Sequence, residues 1–187
     1  MKTRCKWATK NEAEKEYHDA EWGIPVYDDR LLFEFLILEG AQAGLSWITI
    51  LNKRENYREA FGNFEAKKIV NYTQEKIDEL LQNKGIVRNK LKVNSVVTNA
   101  KIFLEVQKEY GSFSNYIWSF VDDKVIQNHF KNVADVPAKT AVSDTMSKAL
   151  KKRGFKFIGS TICYAFMQAV GMVNDHTTDC FRYNSLK

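Results

Sequence analysis

The sequence predicts an all-α protein. Three observations carry that prediction. The 187 residues include only 2 Pro and 9 Gly, so few positions interrupt a helix. No run alternates polar and apolar residues for long enough to make a half-buried strand. Several stretches instead join a helix-starting side chain to apolar residues at three- and four-residue spacing. Hydrophobic residues make up 44% of the chain, enough for a real core. The length suits one domain over residues 1–187.

Residues 1–7 form a short basic arm carrying Cys5 and Trp7. Thr9 or Asn11 caps a helix over 12–21, and Glu12 and Glu14 suit its positive N-terminal end. That helix carries Tyr17 and His18 and ends near Trp22. Pro25 keeps residues 24–27 extended. Asp28 or Asp29 caps the next helix. Its residues 31–38 read LLFEFLIL, with Glu34 the only polar residue, so the helix is buried nearly all round. If it continues through Gly44, Glu39, Gln42 and Trp47 share one side. Gly40, Ala41, Ala43 and Gly44 keep that side open to another backbone or a flat ligand. Residues 46–61 prolong the run as an amphipathic helix. Ile48, Leu51, Tyr57 and Phe61 face inward; Lys53, Arg54, Glu55 and Arg58 face outward.

A short helix follows over 67–70. Thr73 caps a helix over 74–82 with Ile77, Leu80 and Leu81 as its apolar stripe. Residues 84–89 make a tight connection into a long helix over 89–110. The aromatic-rich stretch 112–120 is a short helix. Residues 122–137 are irregular, with room for a brief strand. A basic helix over 143–153, a turn over 154–159 and an apolar helix over 161–171 complete the body. The tail, 172–187, holds His176 and Cys180.

The net charge of +5 is compatible with a polyanionic partner such as nucleic acid. The 3 Cys and the absence of an apolar leader argue for a reducing compartment rather than a disulfide framework. No run reaches membrane-spanning length.

Four groups of residues carry chemistry. Cys5, His18, His176 and Cys180 lie near the chain ends. Two thiolates and two imidazoles suit a closed tetrahedral zinc site that clips the termini together. The H-x3-C pair would meet the ion from one helical turn. Unrelated surface side chains are the competing reading. Cys163, within an apolar helix, reads as core, and His129 as a surface residue. The second group is the 74–100 segment, where Lys84, Arg88, Lys90 and Lys92 cluster at a one-glycine connection between helices. Such a helix-hairpin-helix holds a DNA backbone through exposed N–H groups and cations; an ordinary hairpin with a solvated basic face is the competing reading. Lys148, Lys151, Lys152 and Arg153 extend a positive face. The fourth group is Trp7, Tyr17, Trp22 and Trp47, whose rings would stack on a base or fill the core. Glu39, Gln42 and Trp47 would suit a planar, nitrogen-rich ring. In the blander alternative, Glu39 caps a neighbouring helix. The sequence holds no G-x-S-x-G, P-loop, H-E-x-x-H or C-x-x-C motif.

The motifs RCKWA, YHDAEWGIPVYDD, FEFLILEGAQAGLSWITILNKRENYREAF, NKGIVRNKLK, SKALKKRGFKFIGSTICYAFMQAVGMVNDH and the closing H-x3-C span about residues 4–180. On these the chain strongly resembles the bacterial 3-methyladenine DNA glycosylase I family. The resemblance implies an all-α helix-hairpin-helix glycosylase fold with one structural zinc ion on Cys5, His18, His176 and Cys180. It implies that Tyr17 and Trp47 stack on a flipped base, that Glu39 hydrogen-bonds to it, and that Trp7 and Trp22 stand in the pocket wall. The hairpin residues Lys84, Gly85, Arg88, Asn89 and Lys90 would grip the backbone of double-stranded alkylated DNA. The implied reaction is hydrolytic excision of 3-methyladenine to an abasic site, without lyase chemistry. The family lacks the Asp that most of its superfamily carries after the hairpin, and Asp122 and Asp123 are not assigned that role. A monomer in the bacterial cytoplasm is expected. A non-enzymatic, zinc-clipped DNA-binding module is the alternative. A zinc hydrolase fits less well, because four protein ligands leave no open position.

Overall fold

A computed structural model describes residues 2–186; Met1 and Lys187, the outermost residues of the arm and the tail, lie outside them. The chain is mostly helical and is organised round α2 (Asp29–Gln42), in which every residue from Leu32 to Ala41 is buried. Each fully buried Leu, Ile or Phe side chain contributes about 1.5–3 kcal/mol, so this helix anchors the core. Asp28 caps it by accepting from the Leu31 N–H. Asp29 instead accepts from Phe113 N, Ser114 N and Gln107 Nε2, and so ties in α7 (Lys90–Tyr110) and α8 (Phe113–Trp118).

Glu34 is fully buried in the middle of α2 and is neutralised from outside it. Arg54 Nε lies 2.6 Å and Arg58 Nη2 2.7 Å from its Oε1. Arg54 also donates to Glu21 through Nη1 at 2.7 Å. This corrects the outward placement of Arg54, which is 5% exposed: a buried carboxylate draws the guanidinium in.

The helix predicted to run through Gly44 and on to Phe61 is broken twice. Ala43 leaves helical geometry and Gly44 takes φ +78°, a conformation that favours glycine. The chain restarts as α3 (Trp47–Leu51) and, after a turn, α4 (Arg54–Ala60). A close approach does occur at Gly40, where a Cβ would sit 3.1 Å from Phe157 Cβ and 3.2 Å from its carbonyl oxygen.

The other helices follow their local signals. Asn11 caps α1 (Glu12–Ala20), Thr73 caps α6 (Gln74–Gln82), Asn89 caps α7 and Ser112 caps α8. Thr140 caps α9 (Ala141–Arg153), which begins two residues before its predicted start. Between α4 and α6 lies the short α5 (Ala66–Ile69). α10 (Ser160–Ala169) packs on α9 and α2. A two-residue parallel pairing joins β1 (Ile126–Gln127) to β2 (Val173–Asn174). It fastens the irregular 122–137 segment to the C-terminal arm, which ends in α11 (Phe181–Ser185). Phe181 N donates to Thr3 O at 2.9 Å, so the two ends of the chain lie together. Among the described residues no helix is long and apolar enough to cross a membrane.

Candidate functional site

A cavity of about 450 Å³ is lined by α1, the C-terminal end of α2, the start of α3, the 133–138 segment and α10. That size suits a small ligand. The break at Gly44 still delivers Trp47 to the wall that Glu39 and Gln42 share, by chain reversal rather than by helical periodicity. Trp7, Tyr17 and Trp22 complete an aromatic lining. The Tyr17 and Trp47 rings lie 5.3 Å apart and tilted at 45°; Trp7 meets Trp22 edge-on at 5.0 Å. A ring held between Tyr17 and Trp47 needs about 7 Å, two carbon contact distances, so Trp47 would have to swing to admit one.

The polar atoms of this lining are the unusual part. Tyr17 Oη, Glu39 Oε2 and Trp47 Nε1 are buried and have no hydrogen-bond partner among the described residues. Buried polar groups are normally paired, and an unpaired carboxylate is the costliest kind. Glu39 does not cap a neighbouring helix. Burial alone pushes its pKa up to about 8. Burial likewise pushes the Tyr17 phenol well above its ordinary value, with Glu39 adding to the effect.

A second buried carboxylate, Asp175, shows the contrast. It accepts from Tyr164 Oη at 2.6 Å, Gln168 Nε2 at 2.8 Å and Asn128 Nδ2 at 2.6 Å. Asp175 is thus committed to holding the α10 wall, whereas Glu39 is left for a ligand. The α10 and 133–138 walls escape sequence reading, since they come from segments far from α2 along the chain. Asp122 and Asp123 are exposed, in left-handed backbone, and do not line the cavity.

Beside the aromatic wall, Cys5, His18, His176 and Cys180 meet with their ligand atoms within 4.8 Å of one another. All four are buried, at 0–3% exposure, rather than in the polar surroundings their sequence neighbours suggest. The H-x3-C pair sits on an irregular turn before α11, not on a helical turn. His18 Nδ1–H donates to Asp19 Oδ1 at 2.9 Å, and Arg4 grips that carboxylate. His176 Nε2–H donates to Trp22 O at 3.2 Å. These bonds leave His18 Nε2 and His176 Nδ1 as acceptors turned toward the sulfurs. The cluster is therefore a four-ligand set able to hold a metal ion. Cys163 is buried in α10 and stands apart from it.

The connection between α6 and α7 exposes Lys84, Arg88, Asn89 and Lys90. Gly85 is packed so closely that a Cβ would lie 2.8 Å from Asn56 Cβ. Lys92, grouped with these cations by sequence, points elsewhere: its Nζ donates to the carbonyls of Ala41 and Ala43. Arg153, the last cation of the α9 run, is taken up by Glu109 and stacks over Tyr110.

Known proteins share this architecture. The methyladenine glycosylase family model matches residues 7–183. A DNA-3-methyladenine glycosylase of Haemophilus influenzae is 53% identical over 180 residues, covering 96% of this chain and 97% of its own. A crystal structure of a 3-methyladenine DNA glycosylase I aligns with a TM-score of 0.93 at 48% identity, over 96% of this chain and 98% of that one. A Staphylococcus aureus 3-methyladenine DNA glycosylase I, solved to explain 3-methyladenine recognition, aligns with a TM-score of 0.92 at 38% identity over 95% of each chain. With a family match along nearly its whole length, the chain belongs to the methyladenine glycosylase family.

Proposed function

We infer that this protein excises 3-methyladenine from alkylated double-stranded DNA, hydrolysing the N-glycosyl bond and leaving an abasic site. The observation that carries the reading is Glu39: a buried, unpartnered carboxyl group in an aromatic cavity. 3-Methyladenine in DNA is cationic, so its glycosidic bond is weak and the base leaves readily. What the site must supply is discrimination. A carboxylate in a dry aromatic setting attracts the cationic ring far more than neutral adenine, and the faces of Tyr17 and Trp47 add cation–π attraction. Trp7 and Trp22 wall the pocket. An undamaged base is also held more firmly in its stack, which penalises flipping it. No lysine lies among the described residues of the cavity, so no amine is at hand for a Schiff base; the reading is of a monofunctional enzyme.

The metal cluster fits zinc. Zn–S and Zn–N bonds in a tetrahedron place sulfur and nitrogen about 3.6 Å apart. Three of the four sulfur–nitrogen separations are 3.4 Å (Cys180 to His18), 3.5 Å (Cys180 to His176) and 3.6 Å (Cys5 to His176), within a cluster whose ligand atoms all lie within 4.8 Å of one another. Four buried protein ligands leave no place for substrate, so one zinc per chain acts as a structural clip. The 74–100 segment reads as a helix-hairpin-helix, with Lys84, Gly85, Arg88, Asn89 and Lys90 on the DNA backbone. Residues 1–187 read as a single domain, monomeric and cytoplasmic.

Trp47→Ala is expected to weaken binding of free 3-methyladenine by about 1–3 kcal/mol, the range for losing one aromatic–base stack. Calorimetric titration measures it, and unchanged affinity would remove Trp47 from the pocket's working parts. A DNA-binding module without enzymatic activity would bind the duplex and release no base.

A further inference from the structure

We propose that Lys92 is a positioning residue: it locks the turn between the lining residues Gln42 and Trp47, residues 43–46, to the hairpin that holds the DNA backbone. The inference rests on the glycosylase reading above. It starts from a cation in the wrong place. Lys84, Arg88 and Lys90 are exposed and free to meet phosphate, but Lys92 is turned inward. Its Nζ lies 2.8 Å from Ala41 O and 2.7 Å from Ala43 O. These carbonyls belong to the C-terminal end of α2, where acceptors lack helical partners and the helix dipole is negative. The same helix carries Glu39 and Gln42.

Ser46, at the far end of the turn, is tied to α3 through Thr49, whose N–H donates to Ser46 O at 3.1 Å and whose hydroxyl lies 2.7 Å from Ser46 Oγ, but the middle of the turn has little to hold it. A Cβ on Gly44 would meet nothing within 4 Å, and Leu45 is 40% exposed. Leu45 N–H bonds back to Gln42 O, within the turn itself. The hairpin, by contrast, is well fastened. Ile86 is buried, Val87 N–H donates to Tyr57 Oη at 3.2 Å, and Lys53 Nζ donates to Lys84 O at 2.8 Å. The Asn89 cap then fixes the first turn of α7, where Lys92 sits. Lys92 therefore spans from a rigid element to a sparsely held one. A nucleotide leaving the duplex crosses the gap between backbone grip and cavity, and a small misplacement there is costly to rate.

The test compares wild type, Lys92→Met, Lys92→Arg and Lys90→Gln on duplex DNA carrying 3-methyladenine. Single-turnover excision per folded molecule and the salt dependence of DNA binding are measured. Lys92→Met is expected to slow excision by about ten-fold or more, with the salt slope of wild type. Lys92→Arg, which keeps donors for the two carbonyls, restores most of the rate. Lys90→Gln flattens the slope by about 0.9, one phosphate contact. A flattened slope in Lys92→Met would make Lys92 a phosphate ligand and overturn the proposal. So would a lower melting temperature with an unchanged rate per folded molecule, the mark of a purely structural bond. Absence of base release by wild type would overturn the glycosylase reading instead, and the slopes would still report where Lys92 points.

Discussion

Glu39→Gln is expected to slow 3-methyladenine excision on the order of 100-fold, equivalent to about 3 kcal/mol for a buried charge-assisted contact, with the fold and metal content unchanged. The substitution keeps the size of the side chain and removes only its capacity for charge. Glu39 is 3% exposed and Oε2 has no partner among the described residues, so no structural ion pair is broken by it. In the free protein, burial holds the carboxyl pKa up to about 8, against 4.5 ordinarily. Arrival of a cationic base favours ionisation and pulls that value down. Amide in place of carboxylate cannot respond in this way. Activity at the wild-type level in Glu39→Gln would mean that the pocket recognises the base by shape alone.

The same shift has a consequence for stability. Because the folded-state pKa is raised, folding favours the protonated form. That contribution is fully present below about pH 4.5 and is lost as pH rises through about 8. Relative to Glu39→Gln, wild type should therefore lose stability between about pH 4.5 and about pH 8 and level off above that. Denaturant unfolding of both proteins across that range measures it, and a pH-independent difference would contradict the burial of a titrating acid.

Cys180→Ser is expected to lower the melting temperature by about 10 °C or more, with excision per folded molecule retained. Cys180 Sγ faces His18 Nε2 and His176 Nδ1 in a buried cluster that joins the two arms of the chain. Binding of a structural metal is folding free energy. Losing one thiolate also strands buried imidazoles at about 1–3 kcal/mol each, and each kcal/mol is about 2–4 °C in a chain of this size. Chelation should act in the same direction. A Cys180→Ser protein that is stable but inactive would point to a metal acting in the reaction.

Helix starts were the most legible feature of the sequence, because a cap is a local device. Asn11, Asp28 and Thr73 each accept from an N–H three residues on, as their positions suggested; Asn89, read as the first residue of its helix, is the cap before it. The burial of α2 was legible from its composition. Illegible were the features set by distant partners. The inward turn of Arg54 depends on Glu34 and Glu21, and that of Lys92 on two carbonyls about fifty residues away. The break at Gly44 is written in its positive φ, which a helix-compatible sequence does not announce. Glu39 and Trp47 could thus be paired from sequence for an incomplete reason: they share a wall because the chain turns back. The far wall, with Tyr164 and Gln168 held by Asp175, needed the fold to be seen.

The most direct test is release of free base from methylated duplex DNA by wild type and by Glu39→Gln, with zinc assayed on the same samples. The account predicts 3-methyladenine release by wild type carrying one zinc per chain, and release slowed on the order of 100-fold in Glu39→Gln with the zinc retained. Equal release by the two proteins, or DNA binding by wild type with no base released, would contradict it.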